Sequence, residues 1–288
     1  MPSQHDRRAR RAPVGSRRRG APQGLPARRK WGQHFLARPE TAERIADAAA
    51  LDAGDAVLEI GPGDGALTRP LARRAARVVA VEIDPRRAEA LERELAGESI
   101  VILRGDALTR SPGDWLRAGG VAGGGVLVAN LPYNAATPIV QAAIEDPAIR
   151  RGVVTVQREV ARRFVARPGD DAYGYLSLRV AARADARILF DLPPGAFRPA
   201  PKVTSSVVAL VPRAEPLEPA SRDAALRLAS LGFAARRKTL ANALSSAAPR
   251  RTWESALEAI GFDPRARAEE LSLADFLALA RQSAAARA

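Results

Sequence analysis

Ala56-Val57-Leu58-Glu59-Ile60-Gly61-Pro62-Gly63-Asp64-Gly65 joins a short apolar run to a turn with glycine at every second position. The run reads as a buried strand, because it is short, almost wholly apolar and closed by turn residues. Glycines let the backbone of the turn approach a ligand closely, and a helix expected over Ala66 to Arg74 completes a strand, turn and helix unit. The same alternation extends on both sides. A helix over Pro39 to Ala50 comes first. Strand Arg77 to Val81 ends at Glu82, helix Pro85 to Leu95 follows, and strand Ser99 to Leu103 ends at Gly105 and Asp106. After a loop over Gly119 to Gly125, strand Val126 to Ala129 ends at Asn130, and helix Thr137 to Ile144, strand Gly152 to Val156 and helix Arg158 to Val165 continue the series. Segments Ser177 to Ala182, Arg187 to Leu192 and Val203 to Val211 read as β-rich. The pattern predicts a doubly wound α/β sheet with an antiparallel finish.

Beyond about Pro212 the spacing becomes helical, over Ser221 to Ala235, Arg236 to Ser246, Thr252 to Ile260 and Ser272 to Arg281, with breaks at Gly261 and Pro264. Three parts are therefore expected: a basic arm at 1–30, an α/β domain at 31–213 and a small all-helical domain at 214–288. The arm holds ten arginines or lysines against Asp6 alone, whereas the whole chain carries +13. Rich in Pro, Gly and Arg and without apolar periodicity, it is expected to be disordered when free and to meet nucleic acid through phosphate neutralisation. A length of 288 residues with 47% hydrophobic content suffices for a full core. No stretch of eighteen apolar residues and no apolar region behind the first charges is present, so a cytoplasmic protein with neither membrane span nor secretory signal is expected. With no cysteine and only His5 and His34, no metal is expected.

Ligands of such sheets sit outside the carboxyl ends of the strands, and four strands end there in polar groups: Glu59 with the glycine turn, Glu82, Asp106 and Asn130. A single glycine turn is often only a connection, and a single acid at a strand end is often a solvated residue or a helix cap. Four in register point to a nucleoside-type pocket. A dinucleotide site would space its glycines GxGxxG, whereas Gly61, Gly63 and Gly65 follow GxGxG, and Asp64 stands where a diphosphate disfavours negative charge. A methylsulfonium with an amino-acid tail suits Glu59 and Asp64 better. Glu82 then suits the ribose hydroxyls and Asp106 the adenine amine, which makes S-adenosyl-L-methionine the expected cofactor. In Asn130-Leu131-Pro132-Tyr133, the Asn130 amide oxygen and the Leu131 carbonyl can accept both hydrogens of an exocyclic amine while Tyr133 stacks on its ring. Phe197 is the candidate for the opposite face of the base, although a core aromatic beside a proline turn is the simpler reading of that residue alone. Arg236, Arg237 and Lys238 form a basic patch on the helical part.

These residues resemble the bacterial 16S rRNA adenine N6,N6-dimethyltransferases, relatives of the macrolide-resistance 23S rRNA methyltransferases. The resemblance runs from about Trp31 to Arg281. It rests on Gly32 to Leu36, Glu59 to Gly65, Val81 to Asp84, Gly105 to Ala107, Asn130 to Asn134, Gln157 to Val160, Pro193 to Val203, Phe233 to Leu244 and Glu269 to Leu277. It implies a Rossmann-like S-adenosylmethionine-dependent methyltransferase fold with a small C-terminal all-helical domain, acting as a monomer. It further implies dimethylation of N6 on two adjacent adenosines in the hairpin loop near the 3′ end of 16S rRNA, in the immature 30S subunit. Carried across, cofactor contacts fall on His34, Leu36, Gly61, Glu82, Asp106 and Asn130, and the target base on Asn130, Tyr133 and Phe197. The chain departs at His34, where the family usually has Asn. A 23S rRNA methyltransferase of the resistance type and a mainly non-catalytic small-subunit assembly factor are the alternatives.

Overall fold

The computed structural model describes residues 33–95, 97 and 99–285. The basic arm 1–30, Trp31 and Gly32 lie outside the described residues, and with them the expectation of a disordered arm. The described chain begins with β1 (Phe35–Leu36) and α1 (Pro39–Ala48). It then alternates β2 (Ala56–Ile60), α2 (Thr68–Ala72), β3 (Arg77–Glu82), α3 (Pro85–Leu95), β4 (Ile100–Arg104), α4 (Pro112–Ala118), β5 (Gly125–Asn130), α5 (Ala136–Glu145), β6 (Ile149–Gln157) and α6 (Arg158–Val165). Next come α7 (Tyr175–Ala181), β7 (Ala184–Leu192), β8 (Phe197–Arg198) and β9 (Ser205–Pro212), and then α8 (Pro219–Ala234), α9 (Leu240–Ala243), α10 (Arg250–Ala259) and α11 (Leu273–Ala285).

A seven-stranded sheet has the order β4-β3-β2-β5-β6-β9-β7. Its first five strands are parallel, and β9 runs antiparallel to both β6 and β7. From β2 the chain steps to β3 on one side and later to β5 on the other. The order therefore reverses between β2 and β5, which opens a crevice outside their carboxyl ends. Successive residues of the parallel strands feed opposite layers. Leu58, Val79 and Leu127 join one apolar cluster and Val57, Val78 and Val126 the other, which is why these strands read as continuous apolar runs.

The helical part has its own core around Trp253, Leu257, Leu240 and Phe276, and it shares that core with Tyr173, Leu178 and Ala182. The Tyr173 hydroxyl donates to the Leu271 carbonyl at 2.8 Å. The helical part thus closes over α7 as well as over itself. No helix among the described residues is long and apolar enough to cross a membrane.

Three segments differ from the sequence reading. Ser177 to Ala182, expected as β-rich, is instead the body of helix α7 up to Ala181 and its C-cap, Ala182. Leu176 and Val180 face the sheet cluster while Leu178 faces the helical one, so a helix wedged between two cores mimics the period of two of a strand. The Ser177 hydroxyl accepts from the Gly174 N–H at 3.2 Å and donates to the Arg163 carbonyl at 2.7 Å, fixing its first turn. Helix α4 went unread, although Ser111 caps it by accepting from the Asp114 N–H and Pro112 occupies its first position. The helix expected over Arg236 to Ser246 shrinks to α9, because the Leu240 N–H is drawn to the Ala266 carbonyl at 2.8 Å.

Candidate functional site

Gly61, Gly63 and Gly65 have φ of +71°, +62° and +74°, a left-handed conformation that glycine adopts without strain. This tight turn carries the end of β2 across the crevice. Glu82, at the end of β3, is fixed from both sides: its Oε2 accepts from the Gly63 N–H at 3.0 Å and its Oε1 from the Asp84 N–H at 2.9 Å. Each oxygen keeps a second lone pair for a ligand hydroxyl. Burial pushes the Glu82 carboxyl above the ordinary range, against the opposing pull of these two N–H donors and of Arg87. Glu59 is 1% exposed and its Oε2 has no hydrogen-bond partner among the described residues. Burial raises its pKa to about 8, with Thr68 and Arg69 pulling the other way and repulsion from Glu82 adding to the rise.

The ring edge of Phe35 of β1 abuts this turn, since a Cβ on Gly63 would stand 2.6 Å from it. The Arg87 guanidinium sits 4.1 Å from the centroid of that ring and pairs with the Asp64 carboxylate. This corrects the reading of Asp64 as an acid facing a cationic ligand. Helix α3 brings Arg87, 1% exposed, to the turn, and Asp64 is spent on it.

At the end of β5 the Asn130 Nδ2 donates to the His34 carbonyl at 2.8 Å. Because a carbonyl can only accept, the amide is oriented with its Oδ1 left for another donor. Leu131 is buried, and its N–H donates to the Thr155 carbonyl at 3.2 Å, holding the turn to β6. Tyr133 stacks on His34, with ring centroids 5.1 Å apart and planes inclined by 28°. Its hydroxyl bonds the Ser205 hydroxyl at 2.6 Å, while burial raises its pKa against that bond. The His34 Nδ1 lies 2.7 Å from the Pro199 carbonyl.

A cavity of about 50 Å³ brings His34, Gly61, Gly63, Glu82 and Asn130 together. Leu36 is not in its lining: its main chain pairs with that of Phe197 and its side chain packs against the apolar cluster that contains Phe197. Asp106 stands at the exposed end of β4, where its Oδ1 caps a short 3-10 turn, Ala107–Thr109, by accepting from the Leu108 N–H at 3.0 Å. Phe197 is the departure. It is 4% exposed within the apolar cluster beneath β1, so its ring does not offer the free face expected of it. The pairing of β8 with β1 turns that ring inward. Ile83 and Leu108, unassigned by the sequence reading, are 39% and 46% exposed beside Glu82 and Asp106. Their signal is an apolar side chain just past a strand-end acid.

These features fit S-adenosylmethionine: glycine backbone at close approach, a fixed carboxylate with spare lone pairs, and a buried acid oxygen without a partner. A groove of about 860 Å³ opens beyond Gln157 at the end of β6, lined by Arg158, Arg162, Arg163, Lys202, Tyr175 and Arg236 among others. Of the expected basic patch only Arg236 lines it. That residue pairs with Glu269 at 3.3 Å, and Arg237 and Lys238 are exposed outside the lining. Arg158 and Arg162 went unassigned, although their spacing of four puts both on one face of α6.

The family described as ribosomal RNA adenine dimethylase matches residues 24–284. The chain is 42% identical over 259 residues to ribosomal RNA small subunit methyltransferase A of Phenylobacterium zucineum, covering 89% of this chain and 88% of that one. Identity to the protein of the same name from Thermobifida fusca is 41% over 278 residues, covering 93% and 94%. The solved structure of the 23S rRNA methyltransferase ErmE matches with a TM-score of 0.68 at 32% identity, over 86% of this chain and 98% of that one. A dimethyladenosine transferase from Plasmodium falciparum, at a TM-score of 0.70 and 24% identity over 85% and 96%, shares the fold. The architecture is thus the Rossmann-like methyltransferase fold with an added C-terminal helical region, and the chain belongs to the ribosomal RNA adenine dimethylase family.

Proposed function

We propose that this protein uses S-adenosylmethionine to dimethylate N6 of two adjacent adenosines in the 3′-terminal hairpin loop of 16S rRNA, acting as a cytoplasmic monomer on the immature 30S subunit. The observation that carries the reading is the orientation of Asn130. Its NH2 is committed to the His34 carbonyl, which leaves Oδ1 as an acceptor beside Tyr133. The choice of 16S rRNA is supported by identity of 41–42% over about nine-tenths of the chain to proteins named for the small subunit.

When bound, S-adenosylmethionine supplies an activated methyl group on a sulfonium. Glu82 accepts from the ribose hydroxyls, Ile83 and Leu108 flank the adenine, Asp106 accepts from its amine, and Glu59 answers the cationic end. Leu36, Gly61 and Gly63 approach through their backbone. On the acceptor side, the Asn130 Oδ1 and the Leu131 carbonyl hold the two N6 hydrogens of the target. Its nitrogen lone pair, otherwise delocalised into the ring, is thereby turned toward the methyl group. Tyr133 stacks on the base. The amine proton becomes acidic as the new bond forms and passes to water, so no strong base is required.

The groove along α6 and the helical domain at 214–288 receive RNA by shape and phosphate, with Arg158, Arg162, Lys202 and Arg236 as contacts and Arg237 and Lys238 extending the basic surface, while the ten basic residues of the 1–30 segment add charge for phosphate neutralisation. A second reading, methylation of 23S rRNA, is favoured by the likeness to ErmE. The test is to incubate the protein and labelled S-adenosylmethionine with undermethylated 30S particles and with protein-free 23S rRNA, then to map the modified base by mass spectrometry. Dimethyladenosine in the 3′-end loop of 16S rRNA is expected. Label in 23S rRNA alone moves the protein to the second reading, and tight 30S binding without transfer makes it an assembly factor.

A further inference from the structure

His34 is tied into the acceptor half of the site by three separate contacts. Its carbonyl accepts from the Asn130 amide at 2.8 Å, its Nδ1 meets the Pro199 carbonyl at 2.7 Å, and its ring stacks on Tyr133 at 5.1 Å between centroids. Tyr133 is pinned at its far end by Ser205 at 2.6 Å. An aromatic ring has two faces, and the imidazole covers one of them. Phe197, buried at 4% exposure, supplies no second wall.

We infer that His34 is a positioning residue for the target base: its imidazole braces one face of Tyr133, and the base stacks on the other. The inference rests on the acceptor-site reading above and assigns to His34 a role distinct from cofactor contact. The physical reason is the freedom of a tyrosine held only at its hydroxyl, which can still rock about its χ angles. A ring pressed against one face removes that motion before the base arrives, so less ordering is left to the binding step. The Pro199 carbonyl holds the imidazole in turn, so the brace is set by the loop that follows β8.

Two substitutions separate the stacking from the hydrogen bond. His34→Phe keeps a ring and loses the donor, whereas His34→Asn keeps a donor and loses the ring. An aromatic pair of this kind carries enough free energy that His34→Asn and His34→Ala are expected to lower kcat/KM for RNA about five- to tenfold, with His34→Phe, which keeps the ring and loses the Pro199 contact, falling less than either. Any rise in the KM for S-adenosylmethionine, whose cavity His34 also lines, is expected to be smaller than the loss in kcat/KM for RNA, since the brace acts on the acceptor side. A loss confined to that KM makes His34 a cofactor contact and overturns the inference. So does rescue by Asn with failure of Phe, and so does a gain in rate with Ala, which makes the ring a plug that the base must displace.

A second readout needs no reaction. The chain has two histidines, so His5→Ala leaves the His34 imidazole as the only one in the NMR spectrum. Its ring protons are expected upfield of free imidazole and to return on Tyr133→Leu. Unshifted protons in the full chain overturn the brace. If no rRNA is methylated the functional proposal fails, yet this readout still decides the contact.

Discussion

Replacing Glu59 with glutamine turns a buried ionisation into a measurable pH dependence. The Glu59 carboxyl is 1% exposed, and burial raises its pKa from the ordinary value of 4.5 to about 8. Below pH 4.5 the folded and unfolded chains both hold the proton. Between pH 4.5 and 8 the unfolded chain releases it while the folded chain keeps it, so this contribution to stability is full at low pH and is lost as the pH rises. The loss is about 1.4 kcal/mol per pH unit and on the order of 5 kcal/mol across the window. Against a typical total of about 5–15 kcal/mol the effect is large. Repulsion from Glu82 adds to the shift. Glutamine keeps the shape and never ionises. Urea unfolding of both proteins from pH 5 to 8.5 should give a difference, parent minus Glu59→Gln, that falls by several kcal/mol. Profiles that stay parallel within about 1 kcal/mol would falsify the argument that Glu59 is protonated in the folded chain. A cationic ligand beside Glu59 should also expel its proton. Calorimetry of S-adenosylmethionine binding near pH 7, in buffers of different ionisation enthalpy, should then register proton release in the parent and not in Glu59→Gln.

Four further outcomes are expected. Asn130→Ala, which removes an acceptor from the reacting amine, should lower kcat by about 10²- to 10³-fold with RNA binding by gel shift retained; full activity sinks the acceptor role. Gly63→Ala forces a side chain into φ +62° and to 2.6 Å from the Phe35 ring, so urea titration should register a loss of about 2 kcal/mol or more, together with weaker cofactor binding. Trp253→Ala empties the fully buried centre of the helical core and should cost about 3–5 kcal/mol in thermal unfolding; a near-neutral result means that core does not contribute to the measured transition. Neutralising Arg158 and Arg162 together should reduce the slope of log K for RNA against log salt by about 1.5, and deleting 1–30 should reduce it further; unchanged slopes exclude these groups from the RNA interface.

Much of the site was legible because its signals are local. The glycine turn, the acids at the strand ends and the run from Asn130 to Tyr133 each sit within a few residues, and the alternation of strand and helix orders them at one edge of the sheet. What escaped depends on long pairings. Asp64 reads as free until α3 delivers Arg87 to it. Phe197 reads as a wall for the base until β8 pairs with β1 and turns the ring into the core. The misread α7 has a different cause. Its apolar residues alternate because two cores claim successive side chains, so the period of the sequence reported burial rather than backbone conformation.

The pairing of β1 with β8 also sets an order of events during synthesis. A chain emerges amino end first, and its early parts begin to fold before the late ones exist. Phe35 and Leu36 leave the ribosome early, yet their strand partners are Arg198 and Phe197, and the partner of the His34 ring is the carbonyl of Pro199, 165 residues downstream. A nascent chain that stops short of Phe197 carries the glycine turn and its acids without the cover that Phe35 provides. Completion of the donor pocket is thereby postponed until the α/β part is nearly whole, and fragments ending earlier are denied a finished site.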